Sequence, residues 1–235
     1  MSGSTRPPQR GVSKTLAYCA YLHHDGLQLP ASGVSGCPVE VMAQGNLRVA
    51  WSEVVWPFAG QDLQQSAVGF HAVVERIFQQ TAVSPFQLLT VFETRDALTE
   101  FAQQYAAAIV ADLERLRGFV QMECVLYVVG TRAAAEGDTP RARPHHDAGA
   151  LVRLSEHAGE VCQALEPVAR EVKVHAEASS RRIFALVERG QEQRFADAVQ
   201  EPALPALVYR RFKGPRPAAE FCRIRLRAAG ISEGP

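Results

Sequence analysis

The chain alternates between short apolar runs and longer stretches in which apolar residues return every third or fourth position. "KTLAYCAYL", Lys14 to Leu22, is apolar or aromatic almost throughout without helical spacing, and His23-His24-Asp25-Gly26 supplies a turn, so a strand ends there. "VEVMA" and "LRVAWSEV" are joined by Gln44-Gly45-Asn46, a hairpin signal. In the second arm Leu47, Val49 and Trp51 alternate with Arg48, Ala50 and Ser52, which predicts one face packed on a neighbour. That neighbour is a helix over 62–80, where Leu63, Ala67, Phe70, Val74 and Ile77 form one amphipathic stripe.

"AVSPFQLLTVF", Ala82 to Phe92, comes next. Pro85 disfavours a helix, and Leu88 to Phe92 reads as a short buried central strand reached through a loop. The run holds no charge, Cys or His, which speaks against a catalytic lining. Thr94 is placed to cap a second helix with Asp96 in its first turn and Leu98, Phe101, Tyr105, Ile109 and Leu116 along one side; Gly118 ends it. "FVQMECVLYVV" from Phe119 is a further strand. The order strand, hairpin, helix, strand, helix, strand predicts an α+β fold in which helices cover one face of a largely antiparallel sheet, a ferredoxin-like arrangement with extra strands.

Residues 131–148 mix Gly, Pro and both charge signs with no apolar period, the pattern of a linker. After it Leu151, Leu154, Ala158, Val161 and Leu165 mark a helix that Pro167 ends. "REVKVHAEA" and "RRIFALVER" read as strands that pair, Gln191 to Gln200 as a helix, and "ALVYRRFKGPRPAAEFCRIRL" as a strand, a Gly-Pro turn and an extended tail. The predicted organisation is a disordered leader over 1–13, an N-terminal ferredoxin-like domain over 14–130, the linker, and a smaller α+β C-terminal domain over 149–235.

Composition narrows the function classes. The 235 residues are 47% hydrophobic and 21% charged, enough for one large core or two small ones at roughly 100–150 residues per domain. Lys and Arg number 25, as do Asp and Glu, so no net charge is available to attract nucleic acid or an anionic membrane. Neither an export signal at the start nor a long apolar run is present, which predicts a cytoplasmic protein with no membrane partner. Five scattered cysteines without a C-x-x-C read as reduced thiols, with Cys19 and Cys124 in the core.

The chemistry inventory is sparse. G-x-S-x-G, the P-loop, G-x-G-x-x-G and H-E-x-x-H are all missing, so no catalytic, cofactor-binding or metal-binding residue is assigned, although a missing motif does not exclude an enzyme. His23-His24-Asp25 and His145-His146-Asp147 have metal-ligand chemistry, but adjacent residues seldom converge on one ion. His71, beside the apolar stripe, reads as a satisfied, partly buried histidine. From Pro205 onward seven cations, Arg210, Arg211, Lys213, Arg216, Arg223, Arg225 and Arg227, face only Glu220 and Glu233. Two readings stand level, a solvated edge strand guarded by its charges or a docking surface for an acidic partner, with nucleic acid third because no RNA-binding aromatic motif accompanies the cluster.

The order of segments resembles the gas vesicle protein GvpF/GvpL family over most of the chain. The segments that carry it are "LAYCAYL", "NLRVAWSEV", "GFHAVVERIF", "VSPFQLLTVFETRDAL", "GFVQMECVLYV" and "KGPRPAAEF". Against a family pattern close to V-x-P-x-R-F-G-T-x-F, Val83, Pro85, Thr90 and Phe92 match, while Gln87, Leu88 and Leu89 replace Arg, Phe and Gly. Against T-G-P-W-P-P-Y-x-F, Gly214, Pro215, Pro217 and Phe221 match; Lys213, Arg216, Ala218 and Ala219 do not.

The resemblance implies a non-enzymatic assembly or minor structural protein without a cofactor, located in the cytoplasm and on gas vesicles, whose partners are the gas vesicle shell protein and other gas vesicle accessory proteins. The contact surface is then sought in the terminal segment, at Tyr209, Arg210, Arg211, Lys213, Gly214, Pro215, Pro217 and Phe221, and on exposed faces of the first-domain sheet. For Gly214-Pro215 and Phe221 the plain alternatives are a domain-closing turn and a core anchor. The rival class is an enzyme or a small-molecule or metal-binding protein using an interdomain cleft.

Overall fold

The apolar run near the start of the chain becomes the strand on which the first unit is built. The computed structural model describes residues 11–58, 62–128, 148–227 and 230–233. β1 (Val12–Leu22) buries Leu16 through Tyr21 without a break, because both of its faces are covered. The hairpin of β2 (Glu40–Gln44) and β3 (Leu47–Trp56) turns at Gly45, whose φ of +58° suits the first position of a two-residue loop. α1 (Asp62–Phe78), β4 (Val83–Pro85), β5 (Val91–Phe92) and α2 (Arg95–Leu116) follow. The sheet order is β2-β3-β1-β4 with β5 also on β1, all pairs antiparallel.

Neighbouring residues of β1 point to different layers. Tyr18 packs on Phe70 of α1 with ring centroids 5.5 Å apart, whereas Ala17 and Ala20 join Leu98, Phe101, Ile109 and Leu113 of α2 in one cluster. The helices therefore do not share one face, as the element order had suggested, and the doubly apolar β1 is the physical reason. Leu63 lies outside the buried stripe of α1, which starts instead at Ser66 and runs through Phe70, Val73, Val74 and Ile77.

"AVSPFQLLTVF" is not one central strand. It forms two short strands on β1, separated by a turn in which Leu88 is exposed and Leu89 takes φ +58°. Thr90 closes that turn, its N–H and its hydroxyl both donating to Gln87 O at 3.0 and 2.6 Å. The sequence pattern concealed the break because Leu88 and Leu89 are as apolar as a strand interior.

The second unit spans 118–221. It contains β6 (Phe119–Val128), α3 (Ala148–Leu165), β7 (Ala169–Ala176), β8 (Ser180–Glu188), α4 (Glu192–Gln200) and β9 (Val208–Arg216). Its antiparallel sheet runs β7-β8-β6-β9. Val120, Met122, Cys124 and Leu126 of β6 are buried on the side that also carries Ile183, Ala185 and Val187 of β8. Both neighbours of β6 belong to this unit, so the strand is not the last of the N-terminal domain, where 14–130 had placed it. Gly118, at φ +81°, makes the turn out of α2.

The chain then returns. β10 (Ile224–Arg227) and β11 (Gly230–Glu233) form a hairpin assigned with residues 1–117 to the first unit. Leu226 bridges Phe86 and is 1% exposed, Gln87 N donates to Leu226 O at 2.8 Å, and the buried Asp112 carboxylate accepts from Arg223 N at 2.8 Å. These contacts explain why 149–235 is not a continuous second domain. The predicted leader up to residue 10 and the linker up to residue 147 lie outside the described residues.

Candidate partner-binding edge

β9 is the outer strand of the second sheet, and the terminal residues singled out from sequence divide there into two groups. Arg210 is committed to the fold: its guanidinium donates to the carbonyls of Val199, a free acceptor at the end of α4, and of Pro202 just beyond the helix, the latter at 3.2 Å. Gly214 is required by its place. At φ +131°, an added Cβ would sit 2.6 Å from Met122 Sδ and 2.9 Å from the Gln121 carbonyl oxygen. Phe221 is 1% exposed, with Lys173 Nζ above its ring at 5.6 Å.

Tyr209, Arg211 and Pro215 are exposed, while Lys213 and Pro217 are half-buried. Tyr209 stacks on Tyr127 across the strand pair, with centroids 5.7 Å apart. In the β6–β9 register Tyr127 faces Tyr209, Val125 faces Arg211 and Glu123 faces Lys213, so the three β9 side chains share one side of the sheet. Phe212, on the other side, is 41% exposed.

The charge at the centre of this face is Glu123, which no sequence motif had marked. It is buried, and Arg182 Nε and Nη2 each lie 2.7 Å from its Oε1; Arg216 Nη1 stands 4.0 Å from Oε2. The hydrogen bond to Glu123 raises the Arg182 pKa above its usual range. A single carboxylate inside the apolar run "FVQMECVLYVV" was the available signal. The segment 217–221 is tied to the same face, since Glu220 N donates to Gln121 Oε1 at 2.9 Å and Lys173 Nζ to Glu220 O at 2.8 Å.

The other expected features separate as follows. His23 Nε2 meets Asp25 Oδ1 at 3.2 Å on the surface, His145-His146-Asp147 lie outside the described residues, and no group of three metal-ligating side chains occurs among the described residues. His71 is exposed, not partly buried; the buried histidine is His157 of α3, whose Nδ1 contacts Glu160 at 2.9 Å. The first sheet offers no open central face, because Leu16–Tyr21 are covered on both sides. None of the five cysteines is in a disulfide; burial pushes the Cys124 thiol up to about 12 and the Cys19 thiol higher still. No described helix is long and apolar enough to cross a membrane.

Comparison with known proteins places this geometry in context. The family model described as "Gas vesicle synthesis protein GvpL/GvpF" matches residues 14–223. The crystal structure of the gas vesicle protein GvpF from Anabaena sp. PCC7120 is similar at a TM-score of 0.70, with 14% identity over 92% of this chain and 98% of that one. GvpF from Microcystis aeruginosa gives 0.66, with 13% identity over 89% of this chain and 98% of that one. At such identity the structural likeness shows the fold. Among curated proteins no sequence matches significantly.

Proposed function

The chain belongs to the gas vesicle synthesis protein GvpL/GvpF family, and from that premise we propose that it is a non-enzymatic assembly or minor structural protein of gas vesicles that binds the shell subunit and other gas vesicle proteins. The observation that carries this reading is the family match over 14–223, which spans both units and not one shared module. The protein acts in the cytoplasm and on the vesicle, and needs no cofactor.

The ferredoxin-like plan, expected from sequence for the N-terminal domain, is here proposed for the second unit as well. Its element order β6-α3-β7-β8-α4-β9 and sheet order β7-β8-β6-β9 support this. The first sheet has the same strand order with the loop containing residues 23–39 in place of the first helix. Within the terminal segment, Tyr209, Arg211, Lys213, Pro215 and Pro217 form the contact surface, held in position by Arg210, Gly214 and Phe221.

The test is removal of the protein from a gas vesicle-forming cell, with electron microscopy of the shells, and co-purification with the shell subunit. Missing or malformed vesicles, restored by the intact chain, are expected. Normal vesicles together with a soluble shell subunit that does not co-purify would sink the proposal.

A further inference from the structure

We propose that the outer edge of β9 accepts an extended acidic segment of a partner, which adds to the second sheet as a fifth strand beside Tyr209–Lys213. The inference deepens the reading of the terminal segment as the contact surface and rests on it. β9 pairs with β6 alone among the described strands, and beyond Val208, whose N–H donates to Pro205 O at 3.2 Å, its outer side presents backbone donors and acceptors to a partner. The usable stretch has defined limits. Register with β6 is continuous from Lys213 to Val208, it shifts beyond Glu123, and Pro215 has no N–H to offer.

Charge decides what kind of strand fits. Glu123 is opposite Lys213 in the register, yet its carboxylate is occupied by Arg182, with Arg216 behind. Arg211 is opposite the apolar Val125. Neither Arg211 nor Lys213 has an ion-pair partner among the described residues, and with two-residue spacing both lie on one side of the strand. An incoming strand with carboxylates at alternate positions places them beside these two cations. Its intervening residue falls beside Phe212, which is 41% exposed, so that position favours an apolar side chain. Arg210, on the same side as Phe212, is held by the α4 carbonyls and offers no charge to the incoming strand. The recognised pattern is therefore acidic, apolar, acidic, in extended form.

If the cations served only to keep other strands away, neither sign of peptide would bind. The experiment measures fluorescence anisotropy of a labelled (Glu-Val)-repeat hexapeptide with the full-length protein. Two controls are the (Lys-Val)-repeat hexapeptide and the acidic peptide N-methylated at two consecutive central amides, which removes a donor from each edge. Saturable binding of the acidic peptide is expected, weakened about tenfold or more by N-methylation and by added salt. Arg211→Gln, an exposed change that leaves the strand intact, weakens it, and the double change Arg211→Glu with Lys213→Glu shifts preference to the lysine peptide. No acidic binding, equal binding of the lysine peptide, or indifference to N-methylation overturns the inference. Peptide binding without co-purification of the shell subunit retains the edge and removes the shell subunit as its occupant. Co-purification that survives the double charge reversal, with no peptide binding, removes the edge and keeps the shell reading.

Discussion

Leu89 occupies the position where the family pattern has Gly, and its φ of +58° is the conformation that favours Gly. The perturbation is a pair of variants, Leu89→Ala and Leu89→Gly. Both remove the half-buried side chain beyond Cβ, so their difference isolates the backbone. An L-residue held in the left-handed region is disfavoured by roughly 1–2 kcal/mol, because Cβ crowds the following carbonyl. Glycine recovers that strain and gives back about 0.5–1 kcal/mol through the larger freedom of its unfolded chain. The Gly variant is therefore expected to be more stable than the Ala variant by about 0.5–1 kcal/mol, whereas at an ordinary position the order reverses. Urea unfolding followed by tryptophan fluorescence is the suitable assay, because the two tryptophans, Trp51 and Trp56, both sit in the unit that contains Leu89. An Ala variant as stable as the Gly variant, or more stable, would refute the reasoning, since it would mean that the turn relaxes at no cost.

Three further outcomes are expected. Gly214→Ala destabilises the protein by about 1–3 kcal/mol, since the new Cβ meets the Gln121 carbonyl at 2.9 Å in a conformation strained for any side chain; hydrogen exchange in β6 and β9 reports the loss, and unchanged protection contradicts it. Burial pushes the Tyr21 phenol up from 10.0 to about 12, so the folded state favours the neutral form; stability is level below pH 10 and falls as pH rises towards 12, and urea unfolding at a series of pH values checks this, with unchanged stability over that window contradicting it. A thiol reagent at neutral pH modifies the half-buried Cys37 before Cys19, Cys124 and Cys222, which are buried, and peptide mapping showing Cys124 labelled first in native protein runs against that order.

Local patterning was enough to locate most elements. The hairpin at Gly45, the Thr94 cap that accepts from Ala97 N at 3.2 Å, and the helix ended before Pro167 all follow from residues a few positions apart. What was not legible depends on contacts distant in sequence. β6 follows α2 directly, and nothing in its Val- and Tyr-rich pattern states that it pairs with β8 and β9 and not with β1. The return of 222–235 rests on Leu226 meeting Phe86 and on Asp112 meeting Arg223 N, pairs more than a hundred residues apart. For the candidate edge, the basic bias was visible, but which cations are already engaged was not. Arg210 and Arg211 are adjacent in sequence, and only the strand geometry sends one to the α4 carbonyls and leaves the other beside Val125.

Four of the residues that match the family patterns have structural duties in this fold. Thr90 closes the turn between β4 and β5 and its carbonyl accepts from Ala17 N at 3.1 Å; Phe92 packs edge-on against Phe101; Gly214 admits β9 close to β6; Phe221 is buried with Lys173 over its ring. They do not select a partner, because they are buried or spent on backbone geometry. On the proposed reading, selection falls to side chains that the fold leaves exposed or unpaired, and on β9 the candidates are Arg211, Phe212 and Lys213. Lys213 departs from the family pattern, standing where that pattern has Thr. Restoring threonine there, by Lys213→Thr, should leave unfolding within about 0.5 kcal/mol of the parent, as for a surface change, while weakening an acidic partner strand. A large loss of stability in that variant would instead make Lys213 one more support of the fold.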